Sequence, residues 1–125
     1  MLKFVLFAIT FVSSFSANAI VFSSTIGTVI DDSSGPAACT VTNTSFSKTE
    51  AVVVNLVNSA GTVLLNQVLS VGPQSYAISN MVSAPAGGVE FPRCIFGSRK
   101  AKNLRFSMVI FKPTGSAVEQ TFEAR

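Results

Sequence analysis

Glu50-Ala51-Val52-Val53-Val54-Asn55-Leu56-Val57-Asn58 and Thr62-Val63-Leu64-Leu65-Asn66-Gln67-Val68-Leu69-Ser70-Val71 are separated by three residues, Ser59-Ala60-Gly61. Each arm is rich in β-branched and aliphatic residues and lacks a helical period. A short connection containing glycine between two such runs reads as a β-hairpin. On the first arm Val52, Val54 and Leu56 point one way, and Val53, Asn55 and Val57 the other. On the second, Val63, Leu65 and Leu69 alternate with Leu64, Asn66 and Val68. Both faces are apolar, so the hairpin is expected to lie at the centre of a sheet and not at its edge.

Outward from the hairpin the same texture repeats: short apolar runs broken by turn residues. Upstream, Ile20, Phe22, Ile26 and Ile30 share one parity, and Ala38–Asn43 is a second strand. The polar loop Asp31-Asp32-Ser33-Ser34-Gly35-Pro36 separates them, and Thr44–Thr49 turns into the hairpin. Downstream, Gly72–Ser75 turns into a short strand at Tyr76–Met81, and Ser83–Gly88 is a loop. Val89–Phe96 is the next strand, with Pro92 marking a start, edge or bulge because it has no N–H to donate. Gly97–Asn103 is a basic turn. Leu104–Phe111 is a strong strand, with Leu104, Phe106, Met108 and Ile110 on one side. Pro113–Ser116 turns into a last strand, Ala117–Glu123, with Val118 and Phe122 sharing a face. Seven or eight strands spaced about ten residues apart predict an all-β fold, a small antiparallel two-sheet sandwich. The chain has no Trp, so the likeness to immunoglobulin domains is one of architecture only.

The N-terminus sets the compartment. Met1-Leu2-Lys3, the apolar run Phe4–Phe15 and Ala17-Asn18-Ala19 have the order of a secretory signal peptide cut between Ala19 and Ile20. The apolar run is too short for a membrane span, and it is broken toward its end by Ser13, Ser14, Ser16 and Asn18. The expected organisation is a signal-peptide helix over 1–19 and one β-sandwich domain over 20–125, secreted or periplasmic. In that compartment Cys39 and Cys94 allow one pairing, a disulfide linking an early strand to a late one. The signal also carries four of the eleven Phe, so whole-chain composition overstates how apolar the domain is.

The chemistry-bearing residues are sparse. There is no histidine, which removes His-based triads and His metal sites. No Ser-Lys spacing stands out. The carboxylates Asp31, Asp32, Glu50, Glu90, Glu119 and Glu123 read as loop and solvated-face residues. Asp31–Gly35 is oxygen-rich but fits no calcium repeat. No cofactor or metal is expected, and the chain is read as non-enzymatic. Asn43-Thr44-Ser45 is a glycosylation sequon that reads as a turn.

One local asymmetry remains. From Arg93 to Lys112 there are six cations and no acid, and four of them, Arg99, Lys100, Lys102 and Arg105, cluster at the basic turn. Such a turn suits an anionic glycan, a lipid surface or an acidic protein. The plainer reading is a solvated tip that keeps strand edges apart. A net charge of +3 on the whole chain, with no nucleic-acid motif, argues against nucleic acid. Contact with a membrane is expected only through the signal during export.

Cys39-Thr-Val-Thr-Asn43, Asn58-Ser-Ala-Gly61, Leu69-Ser-Val-Gly72 and Cys94-Ile-Phe96-Gly-Ser98, with Lys100 and Arg105, resemble a group of small exported bacterial β-proteins of unknown function. The resemblance spans Cys39–Phe111 and implies a β-sandwich with a Cys39–Cys94 bond. A second similarity is to chaperone–usher pilins, whose N-terminal segment completes a neighbour's sheet. It implies strand addition by Ile20–Ile30. The wide cysteine spacing and the ending Phe122-Glu123-Ala124-Arg125 depart from that pattern. Three functions are expected, in order: binding through the basic turn, pilin-like assembly, and a small hydrolase, the last disfavoured by the missing histidine.

Overall fold

The hairpin is present as strands β3 (Glu50–Val57) and β4 (Val63–Val71) in a computed structural model that describes residues 20–113 and 118–124. Its turn is built by Asn58, whose Oδ1 accepts the N–H groups of Ala60 at 3.0 Å and Thr62 at 2.9 Å. Gly61 sits there at φ 81°, which an L side chain resists. Pairing jumps from Leu56↔Leu65 to Val57↔Val63, so β4 carries one extra residue beside the turn. The expected signal peptide at 1–19 lies outside the described residues.

The described residues form six further strands: β1 (Val21–Ser24), β2 (Ala37–Asn43), β5 (Ser75–Ile78), β6 (Arg93–Ser98), β7 (Leu104–Phe111) and β8 (Val118–Glu123). They make two antiparallel four-stranded sheets, β1-β6-β3-β4 and β5-β2-β7-β8. The expected two-sheet sandwich is therefore the observed fold. No helix among the described residues is long and apolar enough to cross a membrane.

The core follows the alternation. Val52, Val54 and Leu56 of β3 are fully buried, and so are Cys39 and Val41 of β2 and Cys94 and Phe96 of β6. From β7, Leu104, Phe106, Met108 and Ile110 close the other wall. Phe96 and Phe106 stack across the two sheets with ring centroids 4.7 Å apart and planes 15° from parallel. Such a pair adds about 0.5–1.5 kcal/mol beyond its buried area. Cys39 and Cys94 form the expected disulfide, joining β2 of one sheet to β6 of the other.

Several details differ from expectation, each for a local reason. The hairpin is not wholly central: β3 is interior, but β4 is an edge strand. Among the described residues no further layer covers the apolar outward residues Val53 and Val68, which share their face with Phe22 of β1. Ile20–Ile30 does not keep one parity. Ile30 is fully buried, whereas Phe22 and Ile26 are 70% and 66% exposed. Past β1 the segment still runs along the strand carrying Cys94, with N–H groups of Thr25, Thr28 and Ile30 donating to the carbonyls of Cys94, Pro92 and Glu90. The strand expected over Val89–Phe96 begins after Pro92 and continues to Ser98, so the basic turn starts at Arg99. The strand expected at Tyr76–Met81 is Ser75–Ile78. In β8 the pairing jumps from Ile110↔Gln120 to Phe111↔Val118. That extra residue separates Val118, which is exposed, from Phe122, which packs on the core.

Candidate anion-binding surface

The basic turn joins β6 to β7 and is tied at both ends. Ser98 Oγ donates to the Lys100 carbonyl at 3.3 Å, and the Leu104 N–H donates to the Ala101 carbonyl at 3.1 Å. The Asn103 carbonyl accepts both the N–H of Thr44 at 2.8 Å and its hydroxyl at 3.0 Å. This lashes the turn to the β2–β3 connection.

Asn43, at the end of β2, shapes that connection. Its side chain is fully buried. Nδ2 donates to the carbonyls of Lys48 at 2.7 Å and Val71 at 3.0 Å, and Oδ1 accepts the Ser45 N–H at 2.9 Å. The sequon asparagine is thus an internal hydrogen-bonding hub of the turn. It gives partners to the Lys48 carbonyl and the Ser45 N–H in the bend, and adds a bond to the carbonyl of Val71, which pairs with Glu50 in the β3–β4 ladder.

Arg99, Lys100, Lys102 and Arg105 are all exposed, but they do not converge. Lys100 and Lys102 border a cleft of about 360 Å³ whose opposite wall is Ser45, Ser47, Lys48 and Glu50. Arg105 bends back, its Nη1 donating to the carbonyls of Leu104 at 2.9 Å and Lys102 at 3.3 Å. It lines a separate depression with Thr121 and Glu123. Arg99 lines a third, apolar one on the outer face of the first sheet. The structure therefore separates two of the four predicted cations and adds one that the sequence did not single out. Lys48 lies more than fifty residues before the turn; the β2–β7 pairing, which sets Asn43 opposite Leu104, and the Thr44–Asn103 and Asn43–Lys48 hydrogen bonds bring it there. Three cations against Glu50 leave the cleft positive, a setting for an anion held by ammonium groups.

The acidic loop is used locally. Asp31 Oδ1 accepts the Ser33 hydroxyl at 2.6 Å and the Ser33 N–H at 2.8 Å. These bonds, the hydroxyl first, hold the Asp31 carboxyl below its ordinary value. Asp32 Oδ2 accepts the Gly87 N–H at 3.2 Å, joining this loop to the one before β6. Among the described residues no three His, Cys, Asp or Glu side chains gather as a metal site.

Fold and surface together define an eight-stranded, disulfide-stapled β-sandwich with a cationic cleft between two loops. No family model, no curated protein and no solved structure matches the chain, so the functional reading rests on these residues alone.

Proposed function

We propose that the protein is an exported, non-enzymatic binding domain that engages an anionic partner through Lys48, Lys100 and Lys102. The observation that carries this is the meeting of cations from two distant segments on one cleft, held by a fully buried asparagine. A purely solvating tip needs charges on one turn, not a second turn lashed beside it. Export is supported by the N-terminal signal pattern and by a disulfide that persists where thiols are oxidised.

The test is retention of the chain from Ile20 to Arg125 on heparin and on immobilised lipopolysaccharide. Replacing Lys48, Lys100 and Lys102 together by Gln should move elution to clearly lower salt, because exposed charge pairs are screened over about 10 Å at 0.1 M. Unchanged elution on both columns sinks the reading. Loss on only one column tells a glycan from a lipid headgroup.

One observation favours a second reading, assembly by strand addition. β4 is a nine-residue edge strand with no charge and no proline. Such an edge lacks the usual guards against pairing. The expected donor, Ile20–Ile30, lies along the chain's own β6 strand, so the element open to a neighbour is β4. Sizing decides between the readings: a monomer at high protein concentration removes the second.

A further inference from the structure

The cationic cleft makes no use of the outer face of the first sheet. There the strand register sets out rows that cross all four strands. One row is polar except for Ile95, namely Ser24, Ile95, Asn55 and Asn66, with Asn66 Nδ2 donating to Asn55 Oδ1 at 2.6 Å. The next outward row is Phe22, Gly97, Val53 and Val68, with no polar side chain. One step beyond Val21↔Ser98 on the same face lie Ile20 and Arg99. Among the described residues nothing roofs the apolar row: Phe22 is 70% and Val68 62% exposed.

Gly97 makes this row a trough. Gly97 itself is buried, with the Phe22 ring leaning over it, and beyond the ring the floor is Val53. A Cβ at Gly97 would stand 3.1 Å from Phe22 Cε1 and 3.6 Å from Ile20 Cγ2. The resulting groove of about 310 Å³ is walled by Ile20, Phe22, Val53 and Val68, and Arg99 is the charged residue of its lining. That volume is at the lower end of ligand pockets, which span about 300–1,000 Å³. Arg99 is the residue just past the end of β6, two residues after Gly97, and lines the same groove.

We infer that this groove binds one acyl chain of an anionic amphiphile, with the methylenes along Val53 and Val68 beside the Phe22 ring and the headgroup at Arg99. The shape and the charge argue for that ligand together. A narrow apolar trough with a cation at its end complements a chain that is apolar along its length and anionic at one tip. A peptide strand is a poorer fit, because the main-chain groups under this face are engaged in the sheet and offer it no partners. Cleavage after Ala19 puts the α-ammonium of Ile20 beside Arg99, a second cation at the same end. The inference stands apart from the proposed Lys48–Lys100–Lys102 cleft, because Arg99 takes no part in it.

The test is titration of the chain from Ile20 to Arg125 with octanoate, decanoate and dodecanoate below their micellar concentrations, read by amide NMR shifts. Saturable shifts should centre on Gly97, Val53 and Val68. Affinity should rise about twofold to fourfold per added methylene, the upper value being that of a fully buried one. Arg99→Gln should weaken dodecanoate about twofold to fivefold, as loss of one exposed charged contact does, and leave neutral dodecyl maltoside unchanged. Val68→Asp should abolish binding of both while the melting curve shows a folded domain. Absence of saturation, affinity independent of chain length, or shifts confined to the Lys48–Lys102 cleft overturns the inference. The triple Lys→Gln variant separates the two proposals: it should lose heparin and keep dodecanoate. Loss of both overturns a distinct groove.

Discussion

Asn43→Ala should be among the most damaging single polar substitutions in the domain. The side chain is fully buried and makes three hydrogen bonds to main-chain groups, to Val71 O, Lys48 O and Ser45 N. Alanine removes every partner and cannot move the backbone closer. Val71 keeps its place opposite Glu50 in the ladder, so each of the three lost bonds costs about 1 kcal/mol. The expected loss is about 3 kcal/mol, a large part of the roughly 5–15 kcal/mol that holds a domain of this size. In urea, at an m-value of about 2 kcal/mol/M, the midpoint should fall by about 1.5 M with the slope unchanged.

Asn43→Asp adds a pH signature. It keeps an acceptor for Ser45 N–H but aims a carboxylate at two carbonyls. Burial and these acceptors raise the folded-state pKa of the introduced carboxyl above its unfolded value. The penalty is then absent below the unfolded pKa, grows as pH rises through the folded pKa, and stays constant above it. Relative to the native chain, Asn43→Asp should be better tolerated at pH 4 than at pH 7, while Asn43→Ala shows no such trend. A midpoint shift under about 0.5 M for Asn43→Ala, or an Asn43→Asp penalty flat with pH, refutes the role of Asn43 as a hub.

Replacing Cys39 and Cys94 together by Ala opens a loop with a sequence separation of 55, which chain entropy values at about 4 kcal/mol. Urea unfolding should show that loss together with a larger m-value, since the unfolded chain expands. Gly35→Ala should destabilise far more than Gly97→Ala, a contrast that thermal melts can measure. A Cβ at Gly35 would sit 2.1 Å from the Lys112 carbonyl oxygen, a main-chain atom, whereas at Gly97 it meets the movable ring of Phe22 at 3.1 Å. Asp31 contributes stability that is present above its ordinary pKa of 3.8 and lost as pH falls through its lower folded value. Melting temperatures of the native chain and Asp31→Asn should therefore differ at pH 6 and converge toward pH 2.

The sheets were legible because alternation is a local signal. Val52, Val54 and Leu56, and later Leu104, Phe106, Met108 and Ile110, report their buried side without reference to anything distant. The Cys39–Cys94 bond was legible because only one pairing exists. Strand ends moved where one residue changes the ladder: Pro92 ends the Glu90 bridge region before β6 starts, and the extra residue in β8 turns Val118 outward. The basic turn was half legible. Its charges are contiguous in sequence, but Arg99, Lys100 and Arg105 leave it in different directions. Lys48 was invisible, because its place depends on hydrogen bonds from Asn43 and Thr44 to residues far along the chain.

The apolar outward face of the hairpin carries the sharper lesson. Val53 and Val68 predict burial on both sides of the sheet, and a covering layer is one way to meet that demand. The chain meets it only in part, with β1 lying beside them and Phe22 reaching over Gly97. The difference rests on one residue. A side chain at Gly97 would meet the Phe22 ring at 3.1 Å and push it outward from β6. With glycine there, the ring stays close to β6, and the groove beside it leads toward Arg99. A glycine inside a strand weakens it, and its usual reason is a close approach by something else. Here the approach is made by Phe22, which buries Gly97 and stands as one wall of the groove beside Val53 and Val68.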